Sequence, residues 1–183
     1  MKKAAVFFGE GFEEVEALTQ VDLLKRAGID VVMVSVMNDE FVKGSHGVMI
    51  KCDMTFDKNK LKDADAIILP GGMPGTSNLN NCTELKELIT EFNNSGKLIA
   101  AICAAPSVFG GMGILKGKKA CSYPGFEKYL TGAEVEHNSV SHDGNIITSR
   151  GVGTAIDFAA EIITYLLDEK TASDVLDSIV YKK

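Results

Sequence analysis

The chain has 183 residues, of which 45% are hydrophobic and 24% are charged, and its formal net charge is −6. This length predicts a single domain over residues 1–183. An acidic chain without a basic cluster is poorly suited to bind nucleic acid or an anionic membrane, and its apolar stretches fall short of the roughly 20 residues of a membrane span. We therefore expect a cytoplasmic protein without nucleic-acid or membrane partners.

Strands and helices alternate along the first half of the chain. The predicted helix carries apolar residues at helical spacing, namely Val15, Leu18, Val21 and Leu24. The segment between residues 44 and 56 is predicted as a hairpin or an edge excursion of the sheet. In chain order the predicted elements are strand Lys3–Gly9, helix Glu13–Ala27, strand Val31–Val36, the Gly44–Phe56 segment and strand Ala66–Leu69.

The second half continues the alternation. Thr83 is predicted to cap the first helix of this half, and His142-Asp-Gly is predicted as a hairpin turn. The elements are helix Thr83–Asn93, strand Leu98–Ile102, strand Lys119–Ser122, hairpin arms Ala133–Ser141 and Asn145–Thr148, and helices Thr154–Leu167 and Ala172–Val180. Such a pattern predicts an α/β fold with a mainly parallel sheet between helices. In these sheets the functional residues lie beyond the carboxyl ends of the strands.

Cys103 stands where the apolar run Leu98–Ile102 stops, three residues before Pro106. Proline is tolerated in the first turn of a helix, so the segment predicts a strand, a sharp turn and a helix, the layout of a nucleophile elbow. A helix N-terminus favours the thiolate of such a cysteine. The alternative is a small buried hydrophobic residue. Two other features expected at this sheet edge, the Gly9–Glu16 turn and the Pro70–Gly75 loop, favour the catalytic interpretation.

One glutamate of the acidic turn could face Cys103, although helical phase does not say which. To hydrogen-bond a thiolate the carboxyl group must be protonated, since an ionised carboxylate would raise the pKa of the thiol. In the Pro70–Gly75 loop, the backbone N–H groups of Gly71 and Gly72 could form an oxyanion hole with that of Ala104. The alternative for this loop is a tight turn without a catalytic role.

A histidine partner for the thiol is not evident from the sequence. Tyr123 follows the next strand and is a poor base at neutral pH, whereas His137 and His142 fall on or beside the predicted hairpin. His46 lies in a loop that could approach the site, although many loop histidines are merely exposed.

No metal or cofactor is expected. Cys52, Cys82, Cys103 and Cys121 contain no Cys-x-x-Cys pair, so neither a zinc site nor a disulfide framework is predicted. The Gly9–Glu14 segment lacks the third glycine of a dinucleotide fingerprint, and its glutamates would repel a pyrophosphate.

Several segments together resemble the ThiJ/PfpI superfamily, especially its branch with the parkinsonism-associated protein deglycase. They are Glu13–Glu16, Val21–Gly28, Leu69–Gly72, Ala100–Pro106 and Thr148–Thr154. The resemblance implies a flavodoxin-like, class I glutamine amidotransferase-like three-layer sandwich that forms a homodimer. It also implies that Cys103 is the reactive thiol, Glu16 its carboxyl partner, and Gly72 and Ala104 the backbone donors.

The chain departs from the family pattern at two positions. Tyr123 stands where many members carry histidine, and His46 stands where relatives carry arginine. The first departure argues against a Cys-His peptidase or amidase, the weakest of three hypotheses.

The leading hypothesis is cofactor-free chemistry on small reactive aldehydes such as methylglyoxal, or on glycated substrates, with Cys103 as nucleophile and Glu16 as proton shuttle. The alternative is a redox-sensing stress-response or chaperone-like protein that acts through oxidation of Cys103.

Overall fold

The computed structural model describes residues 1–182 and is built on a seven-stranded sheet. Its strands are β1 (Lys3–Phe8), β2 (Asp30–Ser35), β5 (Met54–Thr55), β6 (Ala66–Leu69), β7 (Leu98–Ile102), β10 (Val140–Asp143) and β11 (Ile146–Ser149), in the order β10-β11-β7-β6-β1-β2-β5. All neighbours pair in parallel except β10 and β11, which are antiparallel. Two small sheets pair β3 (Phe41–Lys43) with β4 (Met49–Lys51), and β8 (Lys119–Ala120) with β9 (Glu134–Val135).

Helices cover both faces of the large sheet. They are α1 (Glu14–Arg26), α2 (Gly75–Asn81), α3 (Thr83–Asn94), α4 (Pro106–Gly111), α5 (Ala155–Leu166) and α6 (Glu169–Ser178). Side chains alternate along β1, so Val6 and Phe8 pack in one core with α1, α5 and α6, whereas Ala5 and Phe7 pack in the other with α2, α3 and α4. This three-layer arrangement confirms the predicted fold class. Within residues 1–182, none of the helices combines the length and the apolar character needed to cross a bilayer.

Four local predictions were wrong in detail. Helix α2 was not predicted, because its Gly, Ser and Asn residues are poor helix formers. Cys82 rather than Thr83 is the N-cap of α3, and no side chain caps that helix. The long first hairpin arm is divided into β9 and β10, so the turn falls at Gly144 and His142 lies inside β10.

The apolar stripe predicted for α1 matches the face that the helix buries only in part, because Leu24 is buried and Val21 packs against the core, whereas Val15 is exposed. The buried residues are Glu14, Glu16, Ala17, Gln20, Leu23 and Leu24. Gln20 is buried because its side-chain amide donates to the carbonyl of Ala155, 2.9 Å away on α5. Three polar side chains of α1, Glu14, Glu16 and Gln20, are therefore buried for reasons that hydrophobic periodicity does not register.

Candidate active site

Cys103 occupies a sharp turn between β7 and the helix that begins at Pro106. Its φ angle is 65°, in the left-handed region that non-glycine residues rarely adopt. The Cys103 N–H donates to the carbonyl of Ser149 at 3.0 Å, and the Cys103 carbonyl accepts from the N–H of Tyr123 at 2.8 Å. These two hydrogen bonds hold the backbone in its strained conformation and project the thiol beyond the sheet edge, as a nucleophile elbow does.

Glu16 is the carboxyl group that meets this thiol. Its side chain is fully buried, with 0% exposed, and lies beside that of Cys103: Glu16 Oε2 is 2.8 Å and Cys103 Sγ 3.0 Å from the position that a Cβ on Gly71 would take. Glu16 Oε2 also accepts from the N–H of Gly71 at 2.9 Å. Among residues 1–182, the buried Glu16 Oε1 has no hydrogen-bond partner. A buried carboxylate oxygen without a good donor is costly, which favours a proton on this group.

The glycines of the Pro70–Gly75 loop divide their roles. A Cβ on Gly71 would lie 2.6 Å from Cys103 Cβ and 2.8 Å from Glu16 Oε2, so only glycine fits between the two side chains. Because Gly71 donates its N–H to Glu16, it is not an oxyanion donor. The N–H groups of Gly72 and Ala104 instead point to the sulfur of Cys103 and lower the pKa of its thiol. Their role as backbone donors in a reaction stays a prediction.

Cys103 and Glu16 perturb each other's ionisation. Burial raises the pKa of Glu16 to about 7, although its interactions with Cys103 and Gly71 act in the opposite direction and lower this pKa. Burial, followed by the charge of Glu16, raises the pKa of Cys103 to about 12. The prediction that the elbow alone favours thiolate therefore fails while Glu16 is ionised. The two groups titrate as a unit, and a thiolate beside a protonated Glu16 is the reactive form of the pair.

His46 reaches the same region through a hydrogen-bonded contact with α1. Glu14 Oε2 lies 2.9 Å from His46 Nδ1, and Glu14 Oε1 accepts from the His46 N–H at 2.7 Å. The hydrogen bond to Glu14 raises the pKa of His46, and the charge of Glu13 adds to this effect. Burial alone would raise the pKa of Glu14, but hydrogen bonds from His46 and Ser45 lower it to about 2. Glu14 is therefore a fixed anion that orients the imidazole.

A cleft of about 680 Å³ joins these groups. Its lining includes six residues that were named from the sequence: Cys103, Glu16, Gly72, Ala104, His46 and Tyr123. The other lining residues are Glu13, Val15, Met73, Phe126 and Val152. The apolar residues at the cleft mouth were not anticipated as site residues. Val15 was assigned to the core, and nothing in the local sequence of Phe126 or Val152 distinguishes a cleft wall from an exposed loop. The cleft suits a small molecule with one polar reacting end.

The remaining polar candidates do not join this cleft. His142 of β10 pairs with Glu161 of α5, with 2.7 Å between His142 Nδ1 and Glu161 Oε1, and His137 is not among the lining residues.

Glu13, Glu14 and His46 bring three potential metal ligand atoms within 4.8 Å of one another. Hydrogen bonds among these residues and Ser45 account for that cluster without an ion. All four cysteines are free thiols.

Comparison with known proteins gives consistent matches. The model of the DJ-1/PfpI family matches residues 2–165. The protein DJ-1 homolog B of Arabidopsis thaliana is 38% identical over 99% of the chain, which spans only 42% of that longer relative. The glutathione-independent glyoxalase DJR-1.2 of Caenorhabditis elegans is 35% identical, with 95% of this chain and 93% of the relative covered. The structure of oxidised DJ-1 from Toxoplasma gondii superposes with a TM-score of 0.95 at 34% identity, covering 100% of both chains.

Proposed function

Because the chain belongs to the DJ-1/PfpI family, we propose that it is a cysteine-dependent, cofactor-independent enzyme acting on small reactive aldehydes of the methylglyoxal type or on glycated substrates. The observation that carries the proposal is the buried Glu16 carboxyl beside the Cys103 thiol inside the cleft. The relative named as a glutathione-independent glyoxalase supports the same substrate class. The family assignment itself does not depend on this proposal.

The first half of the reaction uses the proton that the pair shares. The Cys103 thiolate attacks the aldehyde carbon of methylglyoxal, a C–S bond forms, and the proton held by Glu16 passes to the carbonyl oxygen to give a hemithioacetal. The N–H groups of Gly72 and Ala104, which already face the sulfur, are placed to stabilise the developing oxyanion.

The second half is an internal redox exchange. The Glu16 carboxylate removes the proton from the carbon bonded to sulfur and delivers it to the neighbouring carbon, while the hydroxyl proton of the hemithioacetal passes to the former ketone oxygen. The former aldehyde carbon is thereby oxidised to a thioester, and the ketone is reduced to an alcohol, so no external oxidant or reductant is required. Water then hydrolyses the thioester to lactate and regenerates the thiol.

Formation of lactate from methylglyoxal by the purified protein, without glutathione, tests this proposal. We expect Cys103→Ser to abolish the activity and Glu16→Gln to reduce it by roughly 10²- to 10⁴-fold, the usual contribution of a general acid–base group. Cys52→Ser, in a buried cysteine that does not line the cleft, is the matched control and should retain activity. Unchanged turnover in Cys103→Ser would refute the mechanism.

A second proposed role is redox sensing through the same thiol. Sulfenic or sulfinic oxygens on Cys103 would meet the donors of Gly72 and Ala104 and a protonated Glu16. Cys52 and Cys121 are buried, so mild peroxide should oxidise Cys103 first, as read by intact mass and peptide mapping. Earlier oxidation of Cys52, Cys82 or Cys121 would argue against this role.

A peptidase or amidase role is the weakest of the three hypotheses, since the hydrogen bonds of His46 go to Glu14 and Ser45 and not to the thiol.

We further propose that the chain acts as a single domain, in the cytoplasm and as a homodimer. Four free cysteines suit a reducing compartment. Exposed Val15 and half-buried Leu18 and Val21 leave apolar surface along α1 for a second copy. Light scattering of the purified protein should give twice the chain mass, and Leu18→Glu should shift it towards the monomer.

A further inference from the structure

His46 has one ring nitrogen anchored and the other open. Its Nδ1 lies 2.9 Å from Glu14 Oε2 and 3.1 Å from Ser45 Oγ. No partner for His46 Nε2 occurs among residues 1–182. The imidazole side chain is 71% exposed, whereas that of Glu14 is only 9% exposed. A carboxylate that accepts from Nδ1–H fixes the tautomer in which Nε2 carries the free lone pair.

The second histidine–glutamate pair of the chain lacks this open nitrogen. His142 Nδ1 is 2.7 Å from Glu161 Oε1, but His142 Nε2 is engaged by the carbonyl of Gly144 at 2.8 Å. His142 also lies outside the cleft, whereas His46 shares the cleft with Cys103. The same chemical pair therefore occurs twice, once with an open ring nitrogen on a residue that lines the cleft of Cys103 and once without.

The proposed function leaves one step without an obvious proton acceptor. After the proton shift, Cys103 carries a thioester that water must hydrolyse. Glu16 lies on the buried side of the thiol with 0% exposed, so it is poorly placed to meet water that enters from the mouth. Tyr123, at the mouth, is a poor base at neutral pH. His46 is exposed, oriented and on the solvent side of the cleft wall.

We propose that His46, oriented by Glu14, is the base that activates water for hydrolysis of the Cys103 thioester; this role rests on the proposed function. The water oxygen bonds to the thioester carbon while one water proton passes to His46 Nε2. The C–S bond then breaks, the electron pair leaves with the sulfur, and the proton returns from His46 to the pair formed by Cys103 and Glu16. The step involves no change of oxidation state, and its products are lactate and the free enzyme.

The test compares His46→Gln with His142→Gln in the full chain during turnover of methylglyoxal, followed by acid quench and intact mass measurement. In His46→Gln we expect lactate formation to fall by roughly 10- to 100-fold, at the low end of the range for a general base. We also expect an adduct one methylglyoxal heavier than the protein to accumulate on Cys103. The adduct should survive desalting and be released by hydroxylamine, as a thioester is and a reversible hemithioacetal is not. His142→Gln should resemble the unaltered protein.

Hydroxylamine added after desalting, so that it meets no free methylglyoxal, separates catalysis from a structural effect. This nucleophile needs no base, so it should release the adduct of His46→Gln as the hydroxamate of lactate and restore the free thiol, whereas a cleft too distorted for the proton shift would yield no hydroxamate. Glu14→Gln, which keeps the imidazole but removes its anchor, should accumulate the same adduct to a smaller extent. Lactate formation by the unaltered protein with no adduct in His46→Gln would overturn the role of His46 alone. No lactate from the unaltered protein would overturn the proposed function and this role with it.

Discussion

Replacing Glu16 by glutamine isolates the proton that Glu16 and Cys103 share. In the unaltered protein the pair has pKa values of about 7 and about 12, raised first by burial of each group. Because two amide donors face the sulfur and Glu16 Oε1 has no partner within the described part of the chain, we expect the proton that remains above pH 7 to reside largely on Glu16. Thiolate reactivity should then rise in two steps, near each pKa value.

The variant removes one of these steps. Glutamine cannot ionise, so Cys103 should titrate once, and loss of the neighbouring negative charge should bring its pKa below 12 by roughly 1–3 units, or about 1–4 kcal/mol. The assay is the rate of alkylation by iodoacetamide between pH 5 and pH 11, with mass mapping to assign the label to Cys103. Superimposable profiles for the two proteins, or the absence of a step near pH 7 in the unaltered protein, would refute the shared proton.

Three further predictions concern stability. Burial raises the pKa at which the Glu16–Cys103 pair loses its first proton from the usual 4.5 of a glutamate to about 7, so losing that proton opposes folding increasingly as pH rises through that window, whichever group holds the remaining proton. The free energy of unfolding of Glu16→Gln should exceed that of the unaltered protein by up to about 3 kcal/mol at pH 8 and by little at pH 4, measured by urea unfolding. Gly71→Ala should lose activity and lower the free energy of unfolding by about 1–3 kcal/mol, because its Cβ would lie 2.6 Å from Cys103 Cβ. Gly153→Ala, whose Cβ would meet no atom within 4 Å, is the control, and equal effects of the two substitutions would contradict the steric argument. Glu14→Gln should lower the free energy of unfolding by about 1–3 kcal/mol at pH 7, because it leaves hydrogen-bond donors of His46 and Ser45 without their carboxylate acceptor. Hydrogen bonds from these residues lower the pKa of Glu14 to about 2 against the effect of burial, so this destabilisation should shrink as pH falls from 4.5 towards 2. A destabilisation that does not change with pH would contradict the role of the Glu14 charge.

The sequence predicted the central sheet well because buried parallel strands are continuous apolar runs. Ala66–Leu69 and Leu98–Ile102 have the predicted bounds. Helix α2 was missed because its stability comes from packing, with Leu79 in the core, and not from its own propensity. Local sequence therefore identified elements that carry their burial pattern in every residue and missed one that depends on its surroundings.

The site was predictable in part for a related reason. Cys103 is conspicuous because a strand, a thiol and a proline adjoin along the chain. The choice of Glu16 among four neighbouring glutamates came from the family resemblance, since helical phase alone did not select it. The contact of His46 with Glu14 joins residues 32 positions apart, and no local pattern encodes such a contact.

The two glutamates that flank Val15 show how environment assigns opposite chemistry to identical side chains. Glu14 is 7% exposed and Glu16 is 0% exposed, so burial alone would raise both pKa values. Glu14 accepts hydrogen bonds from the backbone and ring of His46 and from the Ser45 hydroxyl, whereas Glu16 accepts a backbone hydrogen bond only from Gly71. Donors stabilise an anion and their scarcity favours a proton. Glu14 is thereby suited to anchor a histidine and Glu16 to hold and transfer a proton, a division that the number of donors sets.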